Sequence, residues 1–304
     1  MKRILKLAVA SAAFIVPFAA QAADVPPTLD KVKASGTIVL GIREASYPLS
    51  YLDGDGKAIG YHIDICNRIV DAVRAKLDLP SLKAVQTAVT SQTRIPRMED
   101  GTIDLECGST TNTEMRQQRV AFAPTTYLAT VRLAVKKRSG IDGIPDLGGR
   151  AVVTTEGSTA LDLLRSHHAA RHLDIKAVYA KDHAESFRML ETDQVSAFVM
   201  DDNLLAGLIL TSRNPDAYTI TGRSLDLQPI AIMLRRNDPA FKELVDRTVG
   251  ALIESGEARR LYVKWFQSPI PPSQVNLNFP MTALLDSLLT YPDSAPAEAY
   301  RPPE

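Results

Sequence analysis

Apolar positions recur along this chain first with a strand period, then with a helix period, and the two keep alternating. Thr37-Ile-Val-Leu-Gly41 is a short apolar run that reads as a buried strand, with Ile42, Arg43 and Glu44 at its end. Leu49–Leu52 and Ala58–Tyr61 flank Asp53-Gly-Asp-Gly56, a hairpin turn. Ile63, Ile65, Ile69, Val70, Val73 and Leu77 follow helical spacing, and Pro80 stops that helix. Leu82–Val89 predicts a second strand ending at Thr90-Ser91, then a short helix with Arg94 and Pro96 in or near its first turn. Ile103–Glu106 predicts a strand that runs into Cys107-Gly108-Ser109. Thr111 and Glu114 have the spacing of a capping box, which predicts a helix over Asn112–Val120.

Between about residues 130 and 221 the alternation becomes regular. Strands are expected at Thr130–Lys136, Ala151–Thr154, Ile175–Tyr179 and Ala197–Met200. Helices are expected over Ala160–His168, through Phe187, Met189 and Leu190, and over Leu204–Leu210. Thr159 with Asp162, and Asp182 with Glu185, sit at the starts of the first two. Ile230–Leu234 predicts another strand, and Phe241–Glu254 and Ala258–Phe266 predict helices separated by Ser255-Gly256. Ser268–Glu304 has many prolines and little periodicity, and is expected to lie along the surface as a tail, partly disordered at its tip. The fold class is α/β.

Composition narrows the function. With 35 basic and 35 acidic residues the net charge is zero, which gives no electrostatic case for nucleic acid as a partner. Lys2, Arg3 and Lys6, the apolar run Leu7–Ala20 and the small-x-small site Ala20-Gln21-Ala22 form a secretory signal peptide over residues 1–22, cleaved after Ala22. Its removal leaves 32 basic against 35 acidic residues. The expected location is a periplasm. Cys66 and Cys107 are the two cysteines; an oxidising compartment permits a bond between them, and spacing alone leaves it open. No zinc motif, phosphate-binding glycine loop or nucleophile elbow is present, so neither a metal nor a cofactor is expected.

The candidate chemistry lies in polar residues that share one placement, just past a strand or at the start of a helix. They are Arg43, Ser91, Arg94, Ser109, Thr111, Arg116, Thr159, His183 and Asp201. Ligands of open α/β sheets bind beyond the carboxyl ends of strands, so nine such residues from two α/β blocks point to a cleft between the blocks. Three arginines against one aspartate suit a ligand with two carboxylates and one ammonium. Each residue taken singly has a plainer reading. Arg43 can pair with Glu44 at the surface, Arg94 and His183 can be solvated, Ser109, Thr111 and Thr159 can merely cap helices, and Asp202 can supply the carboxylate in place of Asp201.

The arrangement resembles the periplasmic amino-acid-binding proteins of ABC transporters, solute-binding protein family 3. The resemblance rests on Gly41-Ile-Arg-Glu44, Ile59-Gly-Tyr61, Thr90-Ser-Gln-Thr-Arg-Ile-Pro96, Glu106-Cys-Gly-Ser-Thr-Thr-Asn112, Lys181-Asp-His183, Met200-Asp-Asp202 and Lys264-Trp-Phe266. The second arginine-bearing run and the Glu106–Asn112 run are most similar to the branch that binds dicarboxylic amino acids. The resemblance implies a two-lobed clamp, with lobe 1 over 23–127 plus 225–304, lobe 2 over 128–224, and a hinge of two crossings. It implies a monomer that is not an enzyme, takes glutamate or aspartate, and delivers it to an inner-membrane ABC permease. Arg116, Ser109, Thr111 and Thr159 would hold the α-carboxylate, Asp201 the ammonium, and Arg43, Ser91, Arg94 and His183 the side-chain carboxylate. Three other readings compete: an enzyme similar to cyclohexadienyl dehydratases, with His183 or Glu44 as acid, a binder of broader amino-acid specificity, and a ligand-dependent partner of a sensor kinase or chemoreceptor.

Overall fold

A computed structural model describes residues 25–171 and 173–301. The segment 1–22, expected to be a signal peptide, and the tail tip 302–304 lie outside these residues. Two α/β lobes are built on two separate sheets. The first sheet runs Lys83–Ala88, Thr37–Ile42, Leu105–Glu106, Met233–Arg235, Val120–Phe122; its first three strands are parallel and the last two join antiparallel. The second runs Lys176–Ala180, Ala151–Thr155, Ala197–Asp201, Tyr127–Lys136, Tyr218–Thr221. Central strands such as Ala197–Asp201 are buried throughout, while the edge strand Lys83–Ala88 is nearly all exposed, which explains its lysine and glutamine.

The helix Tyr61–Leu77 buries Ile65, Cys66, Ile69, Val70 and Val73 on one face and ends at Asp78 in the left-handed region. Cys66 faces the sheet and is bonded to Cys107 across a Cα–Cα distance of 6.2 Å, which settles the pairing that spacing left open. Among the described residues no helix is long and apolar enough to cross a membrane.

The long strand Tyr127–Lys136 leaves the first lobe and enters the second. The return strand Leu227–Ile230 runs back beside it, antiparallel, with Ile230 opposite Tyr127 and Leu227 opposite Thr130. This paired ribbon joins the two lobes.

Three expected elements differ. The helix predicted over Asn112–Val120 is only Glu114–Gln117, and Thr113 caps it by accepting from the Arg116 backbone N–H. Thr111 cannot cap because its backbone is bridged to Ile230, and Asn112 N–H donates to Pro229 at 2.8 Å; both are held extended. Val120–Phe122 is a strand. The strand predicted over Ile230–Leu234 is two strands, Leu227–Ile230 and Met233–Arg235, because the chain passes from the lobe-joining ribbon into the first sheet within it. The tail is no loose surface segment. It forms the helix Ala283–Leu288, which buries Leu285 and Leu288, and then docks. Thr125 N–H donates to Asp293 at 2.7 Å, Asn112 Nδ2 donates to Ser294 at 2.8 Å, and Arg301 reaches Asp226 at 2.6 Å beside the return strand.

Candidate functional site

The strand ends of both sheets face each other across a cleft. A small cavity there is lined by Ser91, Arg94, Ser109, Thr111, Thr159, His183 and Asp201, together with Ser158 and Met200. Seven of the nine residues singled out in the sequence therefore line one space. The other two, Arg43 and Arg116, touch its walls.

Arg43 follows Thr37–Ile42 directly, and its backbone N–H is fixed by Ser50 Oγ at 2.9 Å. Its guanidinium turns inward, 2% exposed, while Glu44 is exposed, so the surface pair of these two does not form. Arg43 Nη2 donates to His183 Nε2 at 3.2 Å, and Nη1 lies 3.5 Å from Ser109 Oγ. Arg94 opens the helix Arg94–Glu99 and is also 2% exposed; its Nε and Nη1 have no hydrogen-bond partner. Arg116 is half-buried, donating to Thr111 O at 2.9 Å and, across the cleft, to Gly157 O at 3.2 Å.

His183 is the first residue of the helix His183–Glu191, whose cap is Asp182. An arginine can only donate, so Nε2 accepts and the proton sits on Nδ1, which donates to Thr155 Oγ1 at 2.8 Å. Thr155 passes to Ser186, and Ser186 Oγ donates to Asp182 O. Burial, then Arg43 and Arg94, hold the imidazole well below its ordinary value, so it is neutral. Thr159 Oγ1 donates to Gln228 Oε1, a buried side chain of the return strand, at 2.7 Å.

The two neighbouring aspartates divide cleanly. Asp202 accepts from Thr130 Oγ1 at 2.6 Å, from Thr130 N–H and from Asn203 N–H, tying the long strand to the helix Asp202–Leu210. Asp201, the last residue of its strand and 4% exposed, faces the arginines. Burial, then Asp202, pushes its carboxyl up to about 7, against the pull of Arg94, Arg116 and Arg43. Burial, then Arg94, lowers Arg43 to about 10 and Arg116 to about 9, which leaves both charged at neutral pH. Among the described residues no group of three His, Cys, Asp or Glu is placed to hold a metal ion.

Sequence reasoning missed Ser158, Met200, Thr155, Ser186, Gln228 and Glu106. Thr155 ends its strand, so the placement that selected Asp201 also selects it. Gln228 is a polar residue in the short strand Leu227–Ile230 with only 1% exposure.

The lobes meet directly on both sides of the cavity. Asn203 Nδ2 donates to Tyr47 O at 3.3 Å, and Gly207 packs so close that a Cβ there would lie 2.2 Å from Tyr47 Cβ. On the other side, Gly157 lies against the backbone of Gln92, where a Cβ would approach to 2.8 Å. The arrangement is a closed clamp around a positively charged pocket, with hydrogen-bond donors on both walls and one carboxylate.

A family model described as bacterial extracellular solute-binding proteins, family 3, matches residues 38–268. The chain is 43% identical over 296 residues to the L-glutamate/L-aspartate-binding protein of Pseudomonas aeruginosa, covering 97% of each. It is 43% identical over 266 residues to the glutamate/aspartate import solute-binding protein of Salmonella typhimurium, covering 88% of each. In fold it is similar to the solute receptor for L-cysteine of Neisseria gonorrhoeae, with a TM-score of 0.70 at 20% identity over 82% of this chain and 97% of that one. The chain belongs to the bacterial extracellular solute-binding proteins of family 3.

Proposed function

We propose that this protein captures glutamate or aspartate in the periplasm and delivers it to an inner-membrane ABC permease. The observation that carries the reading is the convergence of Arg43, Arg94, Arg116 and Asp201 on one buried cavity, with two nitrogens of Arg94 unpartnered. A buried guanidinium nitrogen without a partner costs stability unless a ligand supplies an acceptor. Two carboxylates and one ammonium meet that need, and both 43%-identical relatives are named for acidic amino acids.

In this reading Arg116, Ser109, Thr111 and Thr159 hold the α-carboxylate, with the Thr159 hydroxyl turning from Gln228 to the ligand. Asp201 accepts from the ammonium. Ser91, Arg94 and Arg43 receive the side-chain carboxylate, and His183 acts by accepting from Arg43 and so fixing its guanidinium. Lobe 1 comprises 23–127 and 225–304 and lobe 2 comprises 128–224, a division supported by the pairing of Tyr127–Thr130 with Leu227–Ile230. The protein works as a monomer after cleavage of its signal peptide following Ala22. It does not catalyse a reaction. His183 is neutral and its Nε2 is engaged as an acceptor, so it has no proton to give there, and Glu44 faces solvent. Calorimetry with a panel of amino acids tests the reading: glutamate and aspartate should bind tightest, and a neutral or basic amino acid binding tighter overturns it.

A further inference from the structure

We propose that Glu106 is a specificity-determining residue: its buried carboxylate sets the cleft to a single positive charge, which favours dicarboxylates that carry an ammonium over dicarboxylates that lack one. The inference rests on the acidic amino-acid reading above and adds a residue to it.

Glu106 ends the strand Leu105–Glu106 in the middle of the first sheet, opposite Gly41 on one side and Met233 on the other. It is fully buried. Thr110 Oγ1 donates to Oε2 at 2.7 Å, and Oε1 has no hydrogen-bond partner. No ion pair among the described residues includes it. The carboxylate nevertheless lies beside Arg43. Gly108 packs against both, and a Cβ at Gly108 would stand 2.1 Å from Glu106 Oε1 and 2.5 Å from Arg43 Cγ. A glycine is needed there for the carboxylate and the arginine stem to lie side by side. The charge of Glu106 favours the charged forms of Arg43, Arg94 and Arg116 alike.

A buried carboxylate with an unmade hydrogen bond is unfavourable in itself. The compensation available to it is the field of the three guanidinium groups. At pH 8, where Asp201 is ionised, those three positive charges against Asp201 and Glu106 leave the empty cleft with one positive charge. Glutamate and aspartate carry one net negative charge, so the closed complex is neutral, the condition a buried site favours. A dicarboxylate without the ammonium would leave the closed complex with a surplus negative charge.

The test compares glutamate with glutarate, which has the same two carboxylates and no ammonium. The ratio in the parent reports all that the ammonium meets, Asp201 included, and its change on Glu106→Gln at pH 8 isolates the part that belongs to Glu106. Competition against labelled glutamate gives both constants for the full-length mature protein and for Glu106→Gln. The ratio Kd(glutarate)/Kd(glutamate) should fall about tenfold in Glu106→Gln, the effect of removing one charge within a poorly screened site. Thr110→Val, which removes the hydrogen bond and keeps the charge, should leave the ratio near that of the parent. An unchanged ratio in Glu106→Gln, with both ligands weakened equally, overturns the inference and marks Glu106 as structural. Should that variant not fold, Glu106→Met, which fills the same space without charge, is read in the same competition with the same two outcomes. If the parent binds no glutamate, the acidic amino-acid reading itself falls and takes the inference with it; if it binds glutamate and the ratio does not move, only the role of Glu106 falls.

Discussion

Lowering the pH should weaken ligand binding through Asp201. Its carboxyl is pushed up to about 7 by burial and by Asp202. A ligand ammonium placed against it favours the ionised form, so the value in the complex lies below that in the free protein. The sign follows from linkage. Below pH 7 the free protein holds a proton that binding must expel, so affinity falls as pH falls; above pH 7 it is flat. Each pH unit below 7 leaves about a tenth of the ionised population, so affinity at pH 5 should be about a hundredfold below that at pH 8, a loss of about 2.7 kcal/mol. His183 does not contribute, because burial, Arg43 and Arg94 keep it neutral across the window. The distal carboxyl of free glutamate, with an ordinary value of about 4.3, stays largely ionised at pH 5. Calorimetry at pH 8, 7, 6 and 5 in buffers of different ionisation enthalpy reads both the affinity and the released proton. Asp201→Asn should bind weakly with no slope in this range. Equal affinity of the parent at pH 5 and 8, or a slope that survives in Asp201→Asn, refutes the reasoning.

Arg94→Ala should damage glutamate binding far more than glutamine binding, because the unpartnered Nε and Nη1 await a charged acceptor; equal damage to both ligands, by calorimetry, would mark a general effect on the lobe. Gly207→Ala should hold the clamp open through contact with Tyr47, giving a larger scattering radius at saturating ligand and weaker binding. Because alanine suits the helix Asp202–Leu210 better than glycine, by about 0.5–1 kcal/mol, unfolding stability should not fall with it, and a closed radius in this variant would contradict the packing argument. Reduction of Cys66–Cys107, which closes a loop over a sequence separation of 41, should lower unfolding stability by about 2–4 kcal/mol in denaturant titration; no change on reduction would refute a stabilising role.

What the sequence made legible was local. The helix Tyr61–Leu77 shows in its apolar spacing, and the placement of polar residues just past strands picked out the wall of the cavity. What it hid depends on partners distant along the chain. Thr111 has capping spacing, yet a bridge to Ile230 takes its backbone, and Thr113 caps instead. Ile230–Leu234 reads as one apolar strand because its periodicity does not reveal that it serves two sheets. His183 and Arg43 lie 140 residues apart, so nothing local shows that the imidazole accepts from the guanidinium. The tail lacks periodicity because single residues such as Asp293, Ser294 and Arg301 anchor it.

The central claim is that the cleft is built for a second carboxylate on its amino acid. Calorimetric titration of the parent protein at pH 8 with glutamate and with glutamine tests it most directly, since the two share shape and α-groups and differ in the distal charge. Arg43 and Arg94 would face an amide in glutamine, and each lost charge-assisted hydrogen bond is worth about 1.5–3 kcal/mol. Glutamine should therefore bind at least about a hundredfold more weakly than glutamate. Glutamine binding within a fewfold of glutamate would contradict the account.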